Sequence, residues 1–247
     1  MQVNAQPMEQ RVKSSGDVLD IHSIFHTLQG EGPFCGRSAV FVRFAGCNLQ
    51  CPACDTEYTQ GRQEMTADDV MNTVATIVTV GAAQPLAVIT GGEPFRQNLY
   101  PLCYALVQEG YTVQIETNGT LPPPNLAFAE LCSTNPQDVN CVFIVCSPKT
   151  GKVNSYLQPL IGAYKYVVDA DSVHEHDGLP ILALGHTAHP HVARPPIGFE
   201  GPVYIQPADR QDEALNRRNR EAVVILAMNA PDVFTVQLQT HKILNLA

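Results

Sequence analysis

Seven short apolar runs, rich in Val, Ile, Phe and Tyr, recur along this chain and are typical of buried β-strands. The runs are "SAVFVRFAG" (38–46), "PLAVIT" (85–90), "YTVQIET" (111–117), "CVFIVC" (141–146), "YKYVV" (164–168), "PVYIQ" (202–206) and "FTVQLQ" (234–239). Helical patterns separate several of them, and an alternation of β with α favours a parallel sheet. With 247 residues, 45% of them hydrophobic, the chain is long enough to bury a sizeable core.

Three segments have the apolar spacing of amphipathic helices. The first begins at a capping box formed by Thr66 and Asp69. Its apolar positions are Val70, Met71, Val74, Ile77 and Val78. The second ends at Gly110, which suits the C′ position, and its apolar positions are Leu99, Leu102, Cys103, Leu106 and Val107. The third is predicted over 212–230.

Polar residues follow the ends of the predicted strands. They are the cysteine loop after 38–46, "GGEP" after 85–90, "TNGT" after 111–116, "SPK" after 141–146, "DAD" after 164–168, "QPADR" after 202–206 and "THK" after 234–239. The loops at the C-terminal strand ends of a (β/α) barrel build its active site, so these ends predict one site. A closed barrel has eight βα units in about 250 residues. We therefore predict an α/β fold, a single-domain incomplete (β/α) barrel over 18–247 with a polar N-terminal extension, 1–17.

The segment 171–202 is rich in Pro, Gly and His and lacks clear periodicity, so it is predicted to be a loop insertion in the barrel. Its histidines are His174, His176, His186, His189 and His191. Their irregular spacing fits a solvated loop better than a second metal site.

Charge and composition exclude several function classes. The net charge is −9 and no basic run exceeds "RRNR" (217–220), which argues against a nucleic-acid partner. Residues 1–17 lack the apolar region of a signal peptide, and no apolar run reaches about 18 residues. We therefore expect a cytoplasmic protein without a membrane partner. The eight cysteines are then expected to be free, metal-binding or catalytic.

Three cysteines, Cys47, Cys51 and Cys54, lie within "CNLQCPAC" (47–54). The spacing Cys51-x2-Cys54 is half of a zinc site, but no second pair of ligands follows it. Iron–sulfur clusters are held by Cys thiolates, four for a cubane cluster. Three thiolates leave one iron without a protein ligand, and an open metal position is where a cofactor or substrate binds. The missing fourth ligand therefore indicates catalysis.

A second motif, "TGGEP" (90–94), follows a predicted strand. Its paired glycines, Gly91 and Gly92, would let a backbone edge approach a ligand without a Cβ in the way. A tight turn is the alternative interpretation of this motif on its own.

The C-x3-C-x2-C spacing resembles the signature of the radical S-adenosylmethionine (SAM) superfamily, in which SAM chelates the open iron. The chain also resembles the 7-carboxy-7-deazaguanine synthase family of that superfamily, over most of its length. The motifs that carry this likeness, in family order, are "LQGEG", "FVRFAGC", "CDT", "TGGEP", "IETNG", "CSPK", "QP" and "QTHK". The chain departs from the family over 164–202. The resemblance implies conversion of 6-carboxy-5,6,7,8-tetrahydropterin to 7-carboxy-7-deazaguanine, with loss of ammonia, on the queuosine and 7-deazapurine pathway.

The resemblance also implies three cofactors, a [4Fe–4S] cluster, SAM and Mg²⁺, and no side-chain acid or base. The cluster ligands would be Cys47, Cys51 and Cys54, and the Mg²⁺ ligand Thr56. The residues expected to contact SAM are Ala53, Asp55, Gly91, Gly92, Glu93, Ser147, Lys149, Gln206 and Asp209. The residues expected to contact the substrate are Leu28, Gln29, Gly30, Glu31, Arg43, Thr90, Glu116, His241 and Ala247.

Residue chemistry supports part of this assignment. Arg43 offers a bidentate fork to a carboxylate, while Glu31 and Glu116 accept hydrogen bonds from the N–H-rich edge of a pterin. The resemblance further implies a flavodoxin-like reductant and a homodimer. Two alternatives stay open: another radical SAM enzyme, such as a glycyl-radical activase, and a non-enzymatic zinc or iron–sulfur protein.

Overall fold

The computed structural model describes residues 3–77, 85–186 and 191–246. Within these residues, nine strands form one sheet in the order β3-β1-β2-β4-β5-β6-β7-β8-β9. The strands are β1 (Val18–Leu28), β2 (Ser38–Phe44), β3 (Gln63–Thr66), β4 (Leu86–Gly91), β5 (Thr112–Thr117), β6 (Val142–Cys146), β7 (Ile161–Val168), β8 (Val203–Pro207) and β9 (Phe234–Val236). From β2 through β4 to β9 each neighbouring pair is parallel. The predicted α/β incomplete barrel and its seven parallel strands are confirmed.

The strands β1 and β3 lie outside the set of strands predicted from the sequence. They extend one edge of the sheet, where β1 pairs antiparallel with both β2 and β3. In β1 only Leu19 and Ile21 are buried, and the rest of the strand is partly or fully exposed. A strand with so few buried positions lacks the continuous apolar run that identified the others.

Four α-helices occur in the described residues: α1 (Ala67–Ile77), α2 (Tyr100–Gln108), α3 (Glu213–Asn229) and α4 (Thr240–Ile243). The predicted capping box is present, since Thr66 Oγ1 donates to Asp69 Oδ2 at 2.6 Å and the Asp69 N–H donates to Thr66 Oγ1 at 3.1 Å. Gly110 has φ +85° directly after α2, as a C′ glycine requires. Val78 lies outside the described residues. No described helix is long and apolar enough to cross a bilayer.

Each parallel strand buries two faces of different character. The outward face carries residues such as Val42 and Ile89, which join the main core beneath the helices. The inward face is apolar near the strand starts, where Leu86, Phe143 and Ala163 pack with Phe34. Because side chains alternate along a strand, the later inward positions lie above this plug, and several of them, such as Thr90, Glu116 and Lys165, are polar and line the cavity. The sheet thus closes its interior at one end and opens a polar cavity at the other.

The segment 171–202 connects β7 to β8, and its described part contains no helix. It is tied to the barrel by a hydrogen bond from Tyr166 Oη to the Ala193 carbonyl at 2.8 Å. An ion pair between Arg194 and Asp177, 2.7 Å long, closes the segment on itself. Leu179 and Val192 are buried in the main core. The segment therefore packs on the domain over much of its length.

Candidate active site

A cavity of about 440 Å³ lies at the C-terminal ends of the parallel strands. Nearly all the predicted site residues line it. They are Leu28, Gln29, Glu31, Arg43, Cys47, Cys51, Ala53, Cys54, Asp55, Thr56, Thr90, Gly91, Gly92, Glu116, Ser147, Lys149, Gln206, Asp209 and His241. The lining does not include Gly30 or Glu93, and Ala247 lies outside the described residues. We call the part around Cys47, Cys51 and Cys54 the cysteine end and the part around Glu31, Lys165 and Glu116 the polar end.

The N-terminal segment 3–17 holds one side of the cysteine loop. The Glu9 N–H donates to the Cys47 carbonyl at 2.7 Å, and Asn4 Nδ2 donates to the Cys51 carbonyl at 3.1 Å. Further along the loop, Gln6 Nε2 donates to the Thr56 carbonyl at 2.8 Å. The polar extension read from the sequence therefore positions the loop, and Asn4 itself lines the cavity.

The segment 171–202 holds the other side of the same loop. The Ala53 N–H donates to the Leu184 carbonyl at 2.9 Å, and His186 Nε2 lies 3.1 Å from Cys51 Sγ. His186 is buried, so the solvated-loop interpretation of the histidines is wrong for this one. It holds for His191, which is exposed, while His189 lies outside the described residues. Irregular spacing did not reveal His186 because the contact joins residues far apart in the sequence.

The three thiols line one end of the cavity together. Burial raises the pKa of Cys47 to about 12 and that of Cys51 to about 11, so binding iron must displace their protons. The described residues contain no group of three His, Cys, Asp or Glu side chains that could hold one metal ion. A structural zinc site needs four ligands around one ion, whereas the thiolates of a cubane cluster bind separate irons. The cysteine end thus fits an iron–sulfur cluster better.

The two glycines of "TGGEP" bring the end of β4 against the cysteine loop. A Cβ on Gly91 would collide with the Phe44 carbonyl, and one on Gly92 would collide with the Gly46 carbonyl. Gly91 also has φ +136°, which favours glycine. Both glycines line the cavity, but the close approach that requires them is to protein backbone.

Glu93 lies behind this wall. Its fully buried carboxylate accepts hydrogen bonds from the Phe95 N–H at 3.1 Å, Thr117 Oγ1 at 2.8 Å and the Asn118 N–H at 2.7 Å. Burial raises the pKa of Glu93 to about 7, although these donors oppose the shift. The side chain therefore ties the end of β4 to the loop after β5, and its contact with SAM stays a prediction.

A buried ion pair forms the polar end. The Lys165 ammonium binds the Glu31 carboxylate and lies 3.8 Å from Glu116 Oε2. Gln239 Nε2 completes the Glu31 site with a hydrogen bond of 2.8 Å. Burial opposes the charge on Glu31, but the ammonium outweighs it and keeps the pKa of Glu31 below its ordinary value. Burial opposes the charge on Lys165 too, and the two carboxylates outweigh it and raise the pKa of Lys165.

Glu116 is surrounded by donors. Gln29 Nε2 and Gln114 Nε2 donate to its Oε1 at 3.1 and 3.0 Å, and Thr90 Oγ1 lies 3.4 Å from its Oε2. Sequence reasoning missed Lys165, although a single lysine inside the apolar strand "YKYVV" was a usable signal, since Lys is almost never fully buried unless paired. It also missed the lining residues Asn4, Tyr58, Asn118 and Lys242.

Two distant motifs join to form one wall of the cavity. The Gly32 N–H donates to Gln237 Oε1 at 2.7 Å, and Gln237 Nε2 returns a 2.7 Å bond to the Gly32 carbonyl. The Thr240 N–H donates to the Gly30 carbonyl at 3.3 Å. A Cβ at Gly30 would collide with His241, so glycine is needed there for the motif "LQGEG" to pack against "QTHK".

Some cavity groups lack a strong partner within the protein. Arg43 forms no ion pair within 4 Å among the described residues, and its guanidinium lies 5.6 Å from the centre of the Phe25 ring. Phe25 in turn stacks on Phe41. Gln206 Oε1 is buried and accepts no hydrogen bond from the described residues. A free guanidinium suits an anionic group and a free amide oxygen suits a donor, so the residues fit a bound carboxylate and a bound amine.

Comparisons with known proteins agree with this geometry. A family model described as the Radical SAM superfamily matches residues 41–157. A curated relative from Rhodospirillum rubrum, named 7-carboxy-7-deazaguanine synthase, is 38% identical over 240 residues, which are 94% of either chain. A protein of the same name from Rickettsia prowazekii is 36% identical over 97% of this chain and 94% of its own. The crystal structure of QueE from Escherichia coli has a TM-score of 0.61 and 21% identity over 89% of this chain and 94% of that one, which supports the fold.

Proposed function

The chain belongs to the 7-carboxy-7-deazaguanine synthase family of the radical SAM superfamily, and we propose that it converts 6-carboxy-5,6,7,8-tetrahydropterin to 7-carboxy-7-deazaguanine and ammonia. It is a radical SAM enzyme of 7-deazapurine biosynthesis. The observation that carries the specific reaction is that three cysteine thiols and a set of polar groups suited to a carboxypterin line one cavity. The three thiols leave the fourth iron open, and the polar end lies where a substrate would meet it.

The cysteine end would hold the [4Fe–4S] cluster through Cys47, Cys51 and Cys54. When bound, the cluster and SAM supply the 5′-deoxyadenosyl radical that removes hydrogen from C6 of the pterin. Gly91 and Gly92 let the end of β4 pack against the backbone beside the cysteine loop, and Gln206 Oε1 offers an acceptor to the SAM ammonium group. Ala53, Asp55, Ser147, Lys149 and Asp209 line the same space and remain proposed SAM contacts, as does Glu93 through the backbone it holds.

The polar end would hold the substrate. Arg43 binds the pterin carboxylate, because its guanidinium has no carboxylate partner within 4 Å in the described part of the chain. Glu116 and Glu31 accept N–H groups of the aminopyrimidinone edge, and Lys165 keeps the pKa of Glu31 below its ordinary value. Leu28, Gln29, Thr90 and His241 complete the lining. Gly30 acts indirectly by seating His241, and the proposed role of Ala247 rests on the family resemblance.

We propose Thr56 as the protein ligand of Mg²⁺, with the substrate and water supplying other oxygens. Mg²⁺ commonly keeps several waters and takes few protein ligands, so one hydroxyl at the cavity wall is compatible with such a site. Gln6 binds the Thr56 carbonyl at 2.8 Å, which fixes the residue without using its hydroxyl. Turnover should fall on removal of Mg²⁺ and on Thr56→Val substitution, while SAM cleavage without substrate should not.

We further propose a cytoplasmic homodimer that receives electrons from a flavodoxin-like protein. Support for the dimer comes from α3, where Ile225 and Met228 are 57% and 75% exposed, since large exposed apolar side chains mark interaction surfaces when they cluster. Sedimentation equilibrium of the wild type should give twice the chain mass of 26.9 kDa. A monomer at micromolar concentration would contradict the dimer.

The reaction is tested by anaerobic reconstitution with iron and sulfide, followed by incubation with the carboxytetrahydropterin, SAM, Mg²⁺ and dithionite. Mass analysis should detect 7-carboxy-7-deazaguanine, and omission of SAM should abolish it. A protein that assembles a cluster and cleaves SAM without forming this product would be another radical SAM enzyme. A protein that binds zinc and no iron would refute the enzyme assignment.

A further inference from the structure

We propose that His186 is a positioning residue for the cluster, whose Nε2–H donates to the Cys51 sulfur and raises the reduction potential. The inference rests on the proposed function, because it requires a cluster bound to Cys51. It concerns the segment 171–202, to which the motifs of the family assign no role.

The geometry of this contact is well defined. His186 is 8% exposed and its Nε2 lies 3.1 Å from Cys51 Sγ. The His186 N–H donates to the Ala183 carbonyl at 3.0 Å, so a tight turn presents the ring to the sulfur. A buried imidazole at this distance from a buried sulfur forms a directed hydrogen bond.

The turn 183–186 is itself fixed to the cysteine loop. The Leu184 carbonyl accepts from the Ala53 N–H at 2.9 Å, and the Leu184 side chain lines the cavity. Leu184 has φ +48° and Gly185 has φ +78°. A left-handed leucine is uncommon and costs conformational energy, so the surrounding contacts must stabilise it. These contacts hold His186 beside Cys51.

The chemistry sets the direction of the hydrogen bond. A sulfur bound to iron has lost its proton, so the contact with Cys51 persists only when Nε2 carries hydrogen and donates it. Reduction adds negative charge to the cluster and its sulfur ligands. A donor to one of these sulfurs stabilises the reduced form more than the oxidised form, and hydrogen bonds to sulfur are among the factors that set cluster potentials. Removal of the donor should therefore make the potential more negative.

The experiment is a redox titration at constant pH of the reconstituted full-length protein, followed by electron paramagnetic resonance (EPR) of the reduced cluster. His186→Leu should lower the equilibrium constant for reduction about tenfold, which is ~59 mV for one electron. His186→Gln keeps an N–H donor and should give a potential between those of His186→Leu and the wild type. The matched control is His174→Leu, in the same segment, because the His174 side chain is 48% exposed and pairs with Asp177. It should retain the wild-type potential.

The iron content of each variant separates this role from others. Equal iron content in the wild type and the variants, together with the predicted order of their reduction potentials, supports the hydrogen bond. Equal potentials in the wild type and His186→Leu would overturn the inference and leave the proposed function intact. Loss of iron specifically in His186→Leu and His186→Gln would show that His186 retains the cluster and does not tune its potential, which also overturns the inference. A wild-type protein that forms no cluster would overturn the proposed function and the inference together.

Discussion

At the polar end of the cavity the charged groups already have partners, whereas the cysteine end holds neutral thiols that must lose their protons to bind iron. Lys165 pairs with Glu31 and Glu116, and both carboxylates receive hydrogen bonds from neighbouring amides. Cys47 and Cys51 are buried thiols whose pKa values burial raises to about 12 and 11. The polar end is therefore stabilised by its own partners before substrate arrives, and the cysteine end reaches its working state only when iron replaces the protons.

The backbone support of the two ends differs as well. The cysteine loop is held by hydrogen bonds from segments remote in sequence, through Asn4, Glu9 and Leu184. The polar end is built on strand positions of β5 and β7, next to the wall made by "LQGEG" and "QTHK". Because the two ends have separate supports, a substitution at one end should leave the structure of the other end unchanged. The following substitutions test that separation.

The largest effect is expected from the cluster ligands. Cys47→Ala, Cys51→Ala or Cys54→Ala should abolish product formation and the absorbance of the cluster, because two thiolates cannot retain the cubane. The polar end should survive, so pterin should still bind to the apoprotein by calorimetry. Cys35→Ala is the control, since Cys35 is exposed and should not affect iron content. Full cluster absorbance in any of the three variants would remove that residue from the ligand set.

Lys165→Met should produce the next largest effect. It leaves the buried Glu31 and the partly buried Glu116 without their cation, and breaking a buried pair costs about 3–5 kcal/mol of folding free energy. Urea unfolding of the reduced apoprotein measures this loss. Adding Glu31→Gln to the same variant should restore part of the stability by removing one uncompensated charge. A single variant as stable as the wild type would show that the ion pair does not hold the polar end together.

Glu93 should make the free energy of unfolding depend on pH. Its pKa is raised from 4.5 to about 7 by burial, so between these values the unfolded chain releases the proton that the folded chain keeps. The contribution of Glu93 to the free energy of unfolding is then present below pH 4.5 and is lost as the pH rises to about 7. The loss is about 3 kcal/mol.

The measurement for Glu93 is the difference in unfolding free energy between the wild type and Glu93→Gln from pH 4.5 to 7.5. The wild type should lose its advantage across this window, and exposed Glu130→Gln should show no such trend. A pH-independent difference for Glu93→Gln would mean that the buried carboxylate is ionised throughout, held by its three hydrogen-bond donors.

Arg43→Ala should have the smallest effect of the four. The loss of one charge-assisted hydrogen-bonding site is worth about 1.5–3 kcal/mol, so pterin affinity should fall about ten- to hundredfold. Iron content and SAM binding should not change. Arg43→Lys keeps the charge but loses the bidentate fork and should be intermediate. Equal pterin affinity in Arg43→Ala would place the substrate carboxylate elsewhere.

Much of the fold could be read from apolar periodicity. The seven parallel strands were visible because both of their faces are buried, whereas β1 was missed because only Leu19 and Ile21 are buried along it. Polar residues at the strand ends predicted the position of the cavity, since parallel strands present their carboxyl ends at one edge of the sheet.

The remaining site features depend on contacts between distant residues. Lys165 was hidden because a lysine in a strand reveals its partners only when the barrel brings Glu31 beside it. His186 was hidden because its contact with Cys51 spans 135 positions. Glu93 lies in a motif that pointed to SAM, yet its carboxylate is directed into the protein by Thr117 and Asn118. Spacing within a motif does not determine the direction of a side chain.

The cysteine end is proposed to bind a cluster with one iron left open for SAM. EPR of the reconstituted, dithionite-reduced wild type, recorded before and after SAM is added, detects such an open iron. We expect the signal of a reduced [4Fe–4S] cluster whose shape changes when SAM binds, and the same change in Arg43→Ala. A cluster signal that SAM leaves unaltered would show that no iron is open to SAM.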